Sequence, residues 1–321
     1  MNSTCPFFVI GKTVCLSPVR IPFYFSLRQS IFDDIPDTYV ALGAPVLAFW
    51  LMSLMFYCLD ISGWRWLDKY RIHESEEVKS RNLATPWEVA RAIIFQNVMQ
   101  ILVGFAWLTE PPAISVARCQ SEMEGLGRTL VFVVPGLFGE ETGMKILEQW
   151  GPGMTHWLYW WGIPAAQIFL AMFTVDTWQY FIHRLMHTNQ YLYRKIHSVH
   201  HKLYVPYALG ALYNHPFEFL LMDTLAIIIA EQVAHLSIRQ AIFCVVYGTC
   251  QGVDVHCGYN FPFDPFRLIS GNNSDYHDIH HQAVGIKSNF SQPYFIHWDV
   301  LLGTRMTRED IQKRGQKVKT T

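Results

Sequence analysis

Charge is what this chain has least of. Asp, Glu, Lys and Arg together make up 16% of its 321 residues, and the formal net charge is −1. With so little charge and no basic tract interleaved with aromatics, no nucleic-acid partner is expected. The seven cysteines are odd in number and include no C-x-x-C, which leaves neither a disulfide framework nor a zinc knuckle; they read as small apolar packing residues. Residues 1–38 have no charged start and no A-x-A-like site after a compact apolar core, so a cleaved signal peptide is not expected. No internal repeat or low-complexity tract occurs.

Apolar residues fill the room that charge leaves. Hydrophobic residues make 51% of the chain and aromatics 15%, and the mean hydropathy is positive, which fits a membrane protein better than a soluble domain. The fold class expected is all-α, a polytopic membrane helical bundle. Residues 39–59 form the first run long enough for a helix to cross a hydrocarbon core of ~30 Å, and 92–108 are just long enough for a second. Between them lie Arg65, Lys69, Arg71, Lys79, Arg81 and Arg91, and positive charge favours the cytosolic side. The short apolar segment 129–138 contains Pro135 and Gly136 and reads as re-entrant or interfacial. A third span is expected at 157–175, opened by the aromatic belt of Trp157, Tyr159, Trp160 and Trp161. Residues 217–236 and 240–253 suit a helical hairpin that returns to the face it left, for four or five crossings in all. The organisation expected is a membrane region over 1–156, a catalytic region over 157–304 and a basic cytosolic tail over 305–321.

Eleven of the 14 histidines lie between His183 and His281, where an even spread would place about four. All but His235 fall in HRLMH (183–187), HSVHH (197–201), NHPFE (214–218), DVHCGY (254–259) and HDIHH (277–281). On a helix, residues four apart share a face, so His183 and His187 can aim two imidazoles at one spot. His197, His200 and His201 can do the same with three, and His277, His280 and His281 repeat that pattern. A single H-x-x-x-H is more often a pair of satisfied core histidines than a metal site, but three boxes with the same helical logic point to metal. Their eight nitrogens exceed what one ion can use, so a two-metal centre is expected. His215 and His256 stand outside the boxes and are balanced between ligand and packed core residue. His73, His156, His235 and His297 have no histidine at helical spacing and default to structural roles. The acidic candidates for orienting ligand rings are Asp176, Glu218, Asp254 and Asp278, with Asp299 beside them. Asn2, Asn272 and Asn289 open glycosylation sequons, but a lumenal glycan at 272 or 289 contradicts a cytosolic metal site, so those two are expected to go unused.

In order and spacing, the three boxes resemble those of the membrane fatty acid hydroxylase superfamily. Residues 271–304, GNNSDYHDIHHQAVGIKSNFSQPYFIHWDVLLGT, closely resemble the fungal and plant sphinganine 4-hydroxylases, and a weaker resemblance covers most of the chain, including 69–83. It implies a di-iron monooxygenase of the endoplasmic reticulum membrane, with its site facing the cytosol, that hydroxylates carbon 4 of sphinganine or dihydroceramide. It also implies metal roles for His183, His187, His197, His200, His201, His277, His280 and His281, and extends them to His215 and His256. O2 would be the co-substrate. The chain has no H-P-G-G haem motif, so the electrons of NAD(P)H would arrive through a reductase and a separate cytochrome b5.

Two alternatives stay open. A methylsterol monooxygenase of the same fold carries nearly the same boxes and differs from this chain in the 271–304 run. A histidine-lined membrane transporter or sensor would place its ligands in mid-span, whereas these boxes lie at span ends or in polar sequence. The last five residues, Lys317-Val-Lys-Thr-Thr321, resemble a dilysine signal for return to the endoplasmic reticulum, and read equally well as a solvated basic tail.

Overall fold

The computed structural model describes residues 7–9, 12–14, 19–109, 114–267 and 271–313; the dilysine-like tail lies outside them. The architecture is helical, as the composition leads one to expect. A short antiparallel hairpin, β1 (Phe7–Val9) and β2 (Lys12–Val14), is the one sheet among the described residues. Residues 1–37 with 109–169 form one compact unit, and residues 38–108 with 170–321 form the other.

Helix α1 (Asp37–Ile61) covers the first expected span. Leu42, Phe49 and Phe56, seven apart and so on one face, are buried, while Leu47, Leu51, Leu54 and Met55 stay exposed. A soluble protein would not leave such a face bare, but a lipid-facing helix does. After the short helices α2 (Arg65–Asp68) and α3 (Ser75–Arg81) comes α4 (Pro86–Trp107). It begins six residues before the apolar run at 92, because capping chemistry sets its start. Thr85 and Glu88 form a reciprocal capping box, and Pro86 takes the first turn, where its missing N–H costs nothing.

In the first unit, α5 (Val116–Phe138) and α6 (Glu140–Trp157) pack against each other. The short segment 129–138, read above as re-entrant or interfacial, is the last part of the 23-residue α5. Its buried positions Cys119, Met123, Leu130 and Val134 continue one stripe through both halves. A Cβ on Gly143 of α6 would lie 2.4 Å from the Pro135 Cα, so only glycine lets the two backbones approach this closely.

A π turn (158–162) leads into α7 (Ile163–Thr188). Then follow α8 (Gln190–Lys195), a 3-10 turn (197–202), a second 3-10 turn (208–212) and α9 (Pro216–Phe219). The hairpin expected at 217–253 is formed by α9, a π turn (220–224) and α10 (Leu225–Ala234), facing α11 (Ile238–Val255). The chain reverses at His235, whose left-handed φ of 50° ends α10, and at Ser237, which caps α11 with Gln240. Two short helices follow, α12 (Ser274–His281) and α13 (His297–Leu301). Among the described residues, three helical stretches are long and apolar enough to cross a membrane: Asp37–Ile61, Pro86–Trp107 and Glu140–Thr188. The arms of the 217–253 hairpin are not among them, since a π turn carrying Asp223 splits the first and α11 carries Gln240, Gln251 and Asp254. The core of the second unit draws Phe49 and Phe56 from α1, Val89 and Ile93 from α4, Leu203 and Tyr213 from the turn region and Val253 from α11. Each such fully buried side chain contributes about 1.5–3 kcal/mol, and together they fix the turns that carry the histidines.

Asn272 and Asn289 are fully buried. The Asn289 amide donates to the carbonyls of Tyr276 (2.9 Å) and Met306 (3.0 Å), and its carbonyl oxygen accepts from the Met306 N–H (2.7 Å). A glycan on either would remove an amide that the fold already uses. Protein expressed in a eukaryotic host and treated with peptide N-glycosidase should show no mass change at these two sites.

Candidate metal centre

Nine histidines converge in two groups, His183, His187, His197, His201 and His280 in one, and His200, His256, His277 and His281 in the other. One candidate ligand atom from each residue lies within 4.8 Å of every other in its group. His183 and His187 project from one face of the last turns of α7. Asn189 then stops that helix and caps α8 by accepting from the N–H groups of Tyr191 and Leu192. The second box lies on a 3-10 turn, and the expectation that its three rings meet at one spot does not hold there. His197 and His201 serve the first group, and His200 turns to the second. The third box divides the other way: His277 and His281, four apart on α12, join the second group, while His280 joins the first. Two of the three boxes therefore bridge both groups. His256 caps α11 and completes the second set.

Six of the nine ring nitrogens that face away from the centre are held by the surrounding chain, while Nδ1 of His187, His201 and His277 is buried without a hydrogen-bond partner among the described residues. Nδ1 of His183 donates to the Phe290 carbonyl (2.8 Å), that of His256 to Gly252 (2.7 Å), that of His280 to Ser288 (2.7 Å) and that of His281 to Leu203 (2.8 Å). His200 Nδ1 lies 3.2 Å from the Tyr213 carbonyl, and His197 Nδ1 lies 2.6 Å from Glu218 Oε1. A carbonyl or carboxylate only accepts, so the proton of each of these rings sits on Nδ1 and Nε2 is left as a bare lone pair. The Nε2 atoms nevertheless crowd together: His183 and His197 at 3.0 Å, His197 and His201 at 3.1 Å, His183 and His187 at 3.2 Å. In the second group, His256 and His277 stand at 3.0 Å, His277 and His281 at 3.1 Å, and His200 and His256 at 3.5 Å. His280 Nε2 is buried without a hydrogen-bond partner among the described residues. In the pairs His183–His197 and His200–His256 both rings are held at Nδ1, and lone pairs so placed repel unless a cation lies between them. Around a metal with bonds of ~2.1 Å, neighbouring nitrogens stand about 3.0 Å apart at a right angle and about 3.4 Å at the tetrahedral angle, which is the range seen. Two nitrogen-liganded cations fit this arrangement.

Burial keeps the rings neutral, as ligation requires. Desolvation, followed by the neighbouring imidazoles, pushes His197, His201, His277, His280 and His281 well below the ordinary histidine range. Desolvation likewise takes His200 down to about 3 and His256 to about 4.

The other candidates fare differently. His215 belongs to neither group; it caps α9, its Nδ1 accepting from the Phe217 N–H. Of the four carboxylates expected to orient ligand rings, Glu218 does so, through His197. Asp176 instead accepts from the N–H groups of Tyr294 (2.9 Å) and Phe295 (2.6 Å), and Asp254 pairs with Asp264. Asp278 points away from the centre, to His73 Nε2 (2.8 Å) and the Arg308 guanidinium. The difference arises because most rings are oriented by backbone carbonyls, which carry no side-chain signature. Asp299 acts one step further out. It accepts from the N–H groups of Phe290 (3.1 Å) and Ser291 (2.6 Å) and from the Tyr276 hydroxyl (2.7 Å), and so fixes the carbonyl that holds His183. A Cβ on Gly285 would lie 2.0 Å from the Ile279 carbonyl oxygen, so glycine is required where the turn folds back over α12 toward Ser288.

One cavity of ≈ 230 Å³ reaches both groups, with His183 and His197 of the first and His200 and His256 of the second in its wall. It follows α11 from His256 to Ala241, fifteen residues or about 22 Å. Phe49, Val103, Ile227 and Val245 give it an apolar lining.

A family model for fatty acid hydroxylases matches residues 168–304, which carry all nine histidines. The chain belongs to the fatty acid hydroxylase family. Within the family it is 40% identical over 292 residues to the sphingolipid C4-hydroxylase of Saccharomyces cerevisiae, covering 91% of this chain and 78% of that one. It is also 40% identical over 267 residues to the Schizosaccharomyces pombe sphingolipid C4-hydroxylase (83% and 88% covered). To sphinganine C4-monooxygenase 2 of Arabidopsis thaliana it is 36% identical over 270 residues (84% and 88%). Sterol oxidases match more distantly. No solved structure matches the chain.

His73, given only a structural role above, ties residues 69–83 to α12. Its Nδ1 meets Glu77 at 2.9 Å and its Nε2 meets Asp278, next to His277. The hydrogen bond to Asp278 is the main cause that raises its pKa above the usual value, against the effect of burial. A folded-state pKa above the unfolded one means that the charged ring stabilises the fold in full below ~6.5 and loses that effect as pH rises through the raised value. His73→Gln should therefore cost about 1–3 kcal/mol at pH 6 and less at pH 8. Thermal melts of both proteins at the two pH values check this; an equal loss at both would rule out the charged pair.

Proposed function

We propose that this protein is a sphingolipid C4-hydroxylase, a di-iron monooxygenase that places a hydroxyl on carbon 4 of sphinganine or dihydroceramide. The observation that carries the reading is the pair of histidine groups at one end of an apolar cavity long enough for a lipid tail. Four relatives that are 36–40% identical over most of the chain bear this activity in their names.

His183, His187, His197, His201 and His280 would hold one iron, and His200, His256, His277 and His281 the other. Bound iron would supply the reduction of O2 and the removal of hydrogen from an unactivated methylene. The protein's residues supply placement. Carbonyls of Phe290, Gly252, Ser288 and Leu203 keep the protons of four rings on Nδ1, so the site needs no proton release on binding metal. Glu218 hydrogen-bonds to His197 from behind and orients that ring. The apolar wall along α11 takes the tail and excludes water, leaving a carbon close to the polar head beside the histidines.

The catalytic region in this reading is 157–304, between the membrane region 1–156 and the tail 305–321, with α1 and α4 of the preceding region completing the cavity wall. The protein would lie in the endoplasmic reticulum membrane with its site toward the cytosol, taking NAD(P)H electrons from a separate cytochrome b5 and its reductase. The positive residues between α1 and α4 support that orientation.

Two measurements test the reading. Purified protein should hold about two ions per chain, and His200→Ala or His280→Ala should lower that count and turnover by at least about tenfold; full activity in either variant would overturn the two-metal centre. Expressed in a host without its own enzyme, the protein should yield long-chain bases with one added oxygen at carbon 4, labelled when the gas is oxygen-18 and absent when cytochrome b5 is withheld. Loss of sterol 4-methyl groups with unchanged long-chain bases would instead make it a sterol oxidase.

A further inference from the structure

Asp223 is an acid in a place that disfavours acids. It lies within the apolar run 217–236 on the π turn 220–224, and its side chain lines the cavity. An ionisable residue in such a run marks a functional contact and calls for a partner. Three carboxylates line this cavity, Glu218, Asp223 and Glu231, and no lysine or arginine does so among the described residues. Glu218 is engaged by His197 (2.6 Å) and Glu231 by the Trp107 indole N–H (2.8 Å). Asp223 receives only an amide, Gln179 Nε2 at 3.1 Å, which is shared with the Met222 carbonyl. A carboxylate facing a cavity without a cation is an incomplete ion pair. A second polar group points the same way: the Asn97 amide, buried to 7% exposure, lines the cavity and has no hydrogen-bond partner among the described residues.

Position supplies the rest. Gln179 precedes His183 by four residues on α7, hence one turn or about 5.4 Å along the same face. Asp223, held by Gln179, therefore sits about one helical turn from the first histidine group. In a long-chain base, carbon 4 lies two carbons beyond the one that bears the nitrogen, so a group that anchors the nitrogen one turn from the metals leaves carbon 4 beside them.

We infer that Asp223, oriented by Gln179, binds the ammonium group of a free long-chain base and so selects both the free base over its N-acylated form and the carbon that is hydroxylated. The inference rests on the functional reading above for the identity of the ligand. An N-acyl lipid presents a neutral amide at the same place and gains no ion pair.

The experiment measures equilibrium binding of radiolabelled sphinganine and of N-acyl sphinganine to the metal-loaded protein in nanodiscs, for the wild type and for Asp223→Asn. The substitution should weaken sphinganine binding by about 30-fold or more, leave N-acyl binding within about threefold and leave the metal content unchanged. Unchanged sphinganine affinity, equal loss for both lipids, or loss of metal in place of loss of sphinganine would each overturn the inference. Asp223→Glu, which keeps the charge and moves it by one methylene, covers the case in which Asp223→Asn does not fold. It should keep the preference for the free base while lowering the share of product hydroxylated at carbon 4, and wild-type affinity with unaltered product would count against the assignment. A wild-type protein that binds sphinganine through Asp223 yet makes no hydroxylated base would sink the functional reading and leave the binding site standing.

Discussion

Everything in the catalytic half of this chain depends on keeping bare imidazole lone pairs about 3 Å apart. Without a cation the arrangement is repulsive, and it persists because six of the nine rings are fixed from behind. The His281 ring depends on the Leu203 carbonyl, and Leu203 is fully buried in the core built by α1, α4 and α11. His200 depends on Tyr213 in the same core, and His183 on Phe290, which Asp299 holds in turn. Apolar burial thus positions carbonyls, carbonyls set tautomers, and tautomers present lone pairs. The ligand set is preorganised by packing of residues that carry no metal chemistry of their own.

Much of this was legible in the sequence, since it lies in local patterns. The i, i+4 spacing of His183 and His187 survives unchanged on α7, and the runs at 39–59 and 92–108 lie almost wholly within α1 and α4. The hairpin over 217–253 was visible from the two apolar runs and the polar break between them. What failed to show was anything that depends on contacts across the chain. A 3-10 turn and an α-helix look alike in HSVHH, yet the first sends His200 to a different partner set from His197. His256 joins a group and His215 does not, although both stood equally on sequence, because only the end of α11 is brought to the centre. Asp278 neighbours a ligand in sequence but faces the other way on α12, toward His73 and Arg308.

The division of the boxes has a chemical consequence. If each box held its own ion, shifting one segment would disturb one metal. Here the 3-10 turn gives His197 and His201 to one group and His200 to the other, and α12 gives His280 to one and His277 and His281 to the other. Any displacement of either segment changes both coordination spheres together. The two groups therefore form a single unit whose spacing is set by two short elements. That suits a reaction in which both ions must address one small molecule.

Asp176 shows how the same loop joins metal and substrate. It lies seven residues before His183 on one face of α7, which made it a candidate for touching a ligand ring, but it grips the backbone of Tyr294 and Phe295 instead. That grip has two results. Gln292, Pro293 and Tyr294 become part of the cavity wall, and the loop is pinned a few residues beyond Phe290, whose carbonyl holds His183. A carboxylate that never approaches a ring thereby fixes one ligand and one side of the lipid slot in the same act. Since Gln179, which orients Asp223, sits on α7 between Asp176 and His183, a single stretch of helix carries the ligand, the support for the cavity wall and the support for the polar anchor. Their relative positions are set by the rise of an α-helix, the stiffest ruler available to a polypeptide, and a hydroxylase that must distinguish one methylene from the next needs a ruler of that kind.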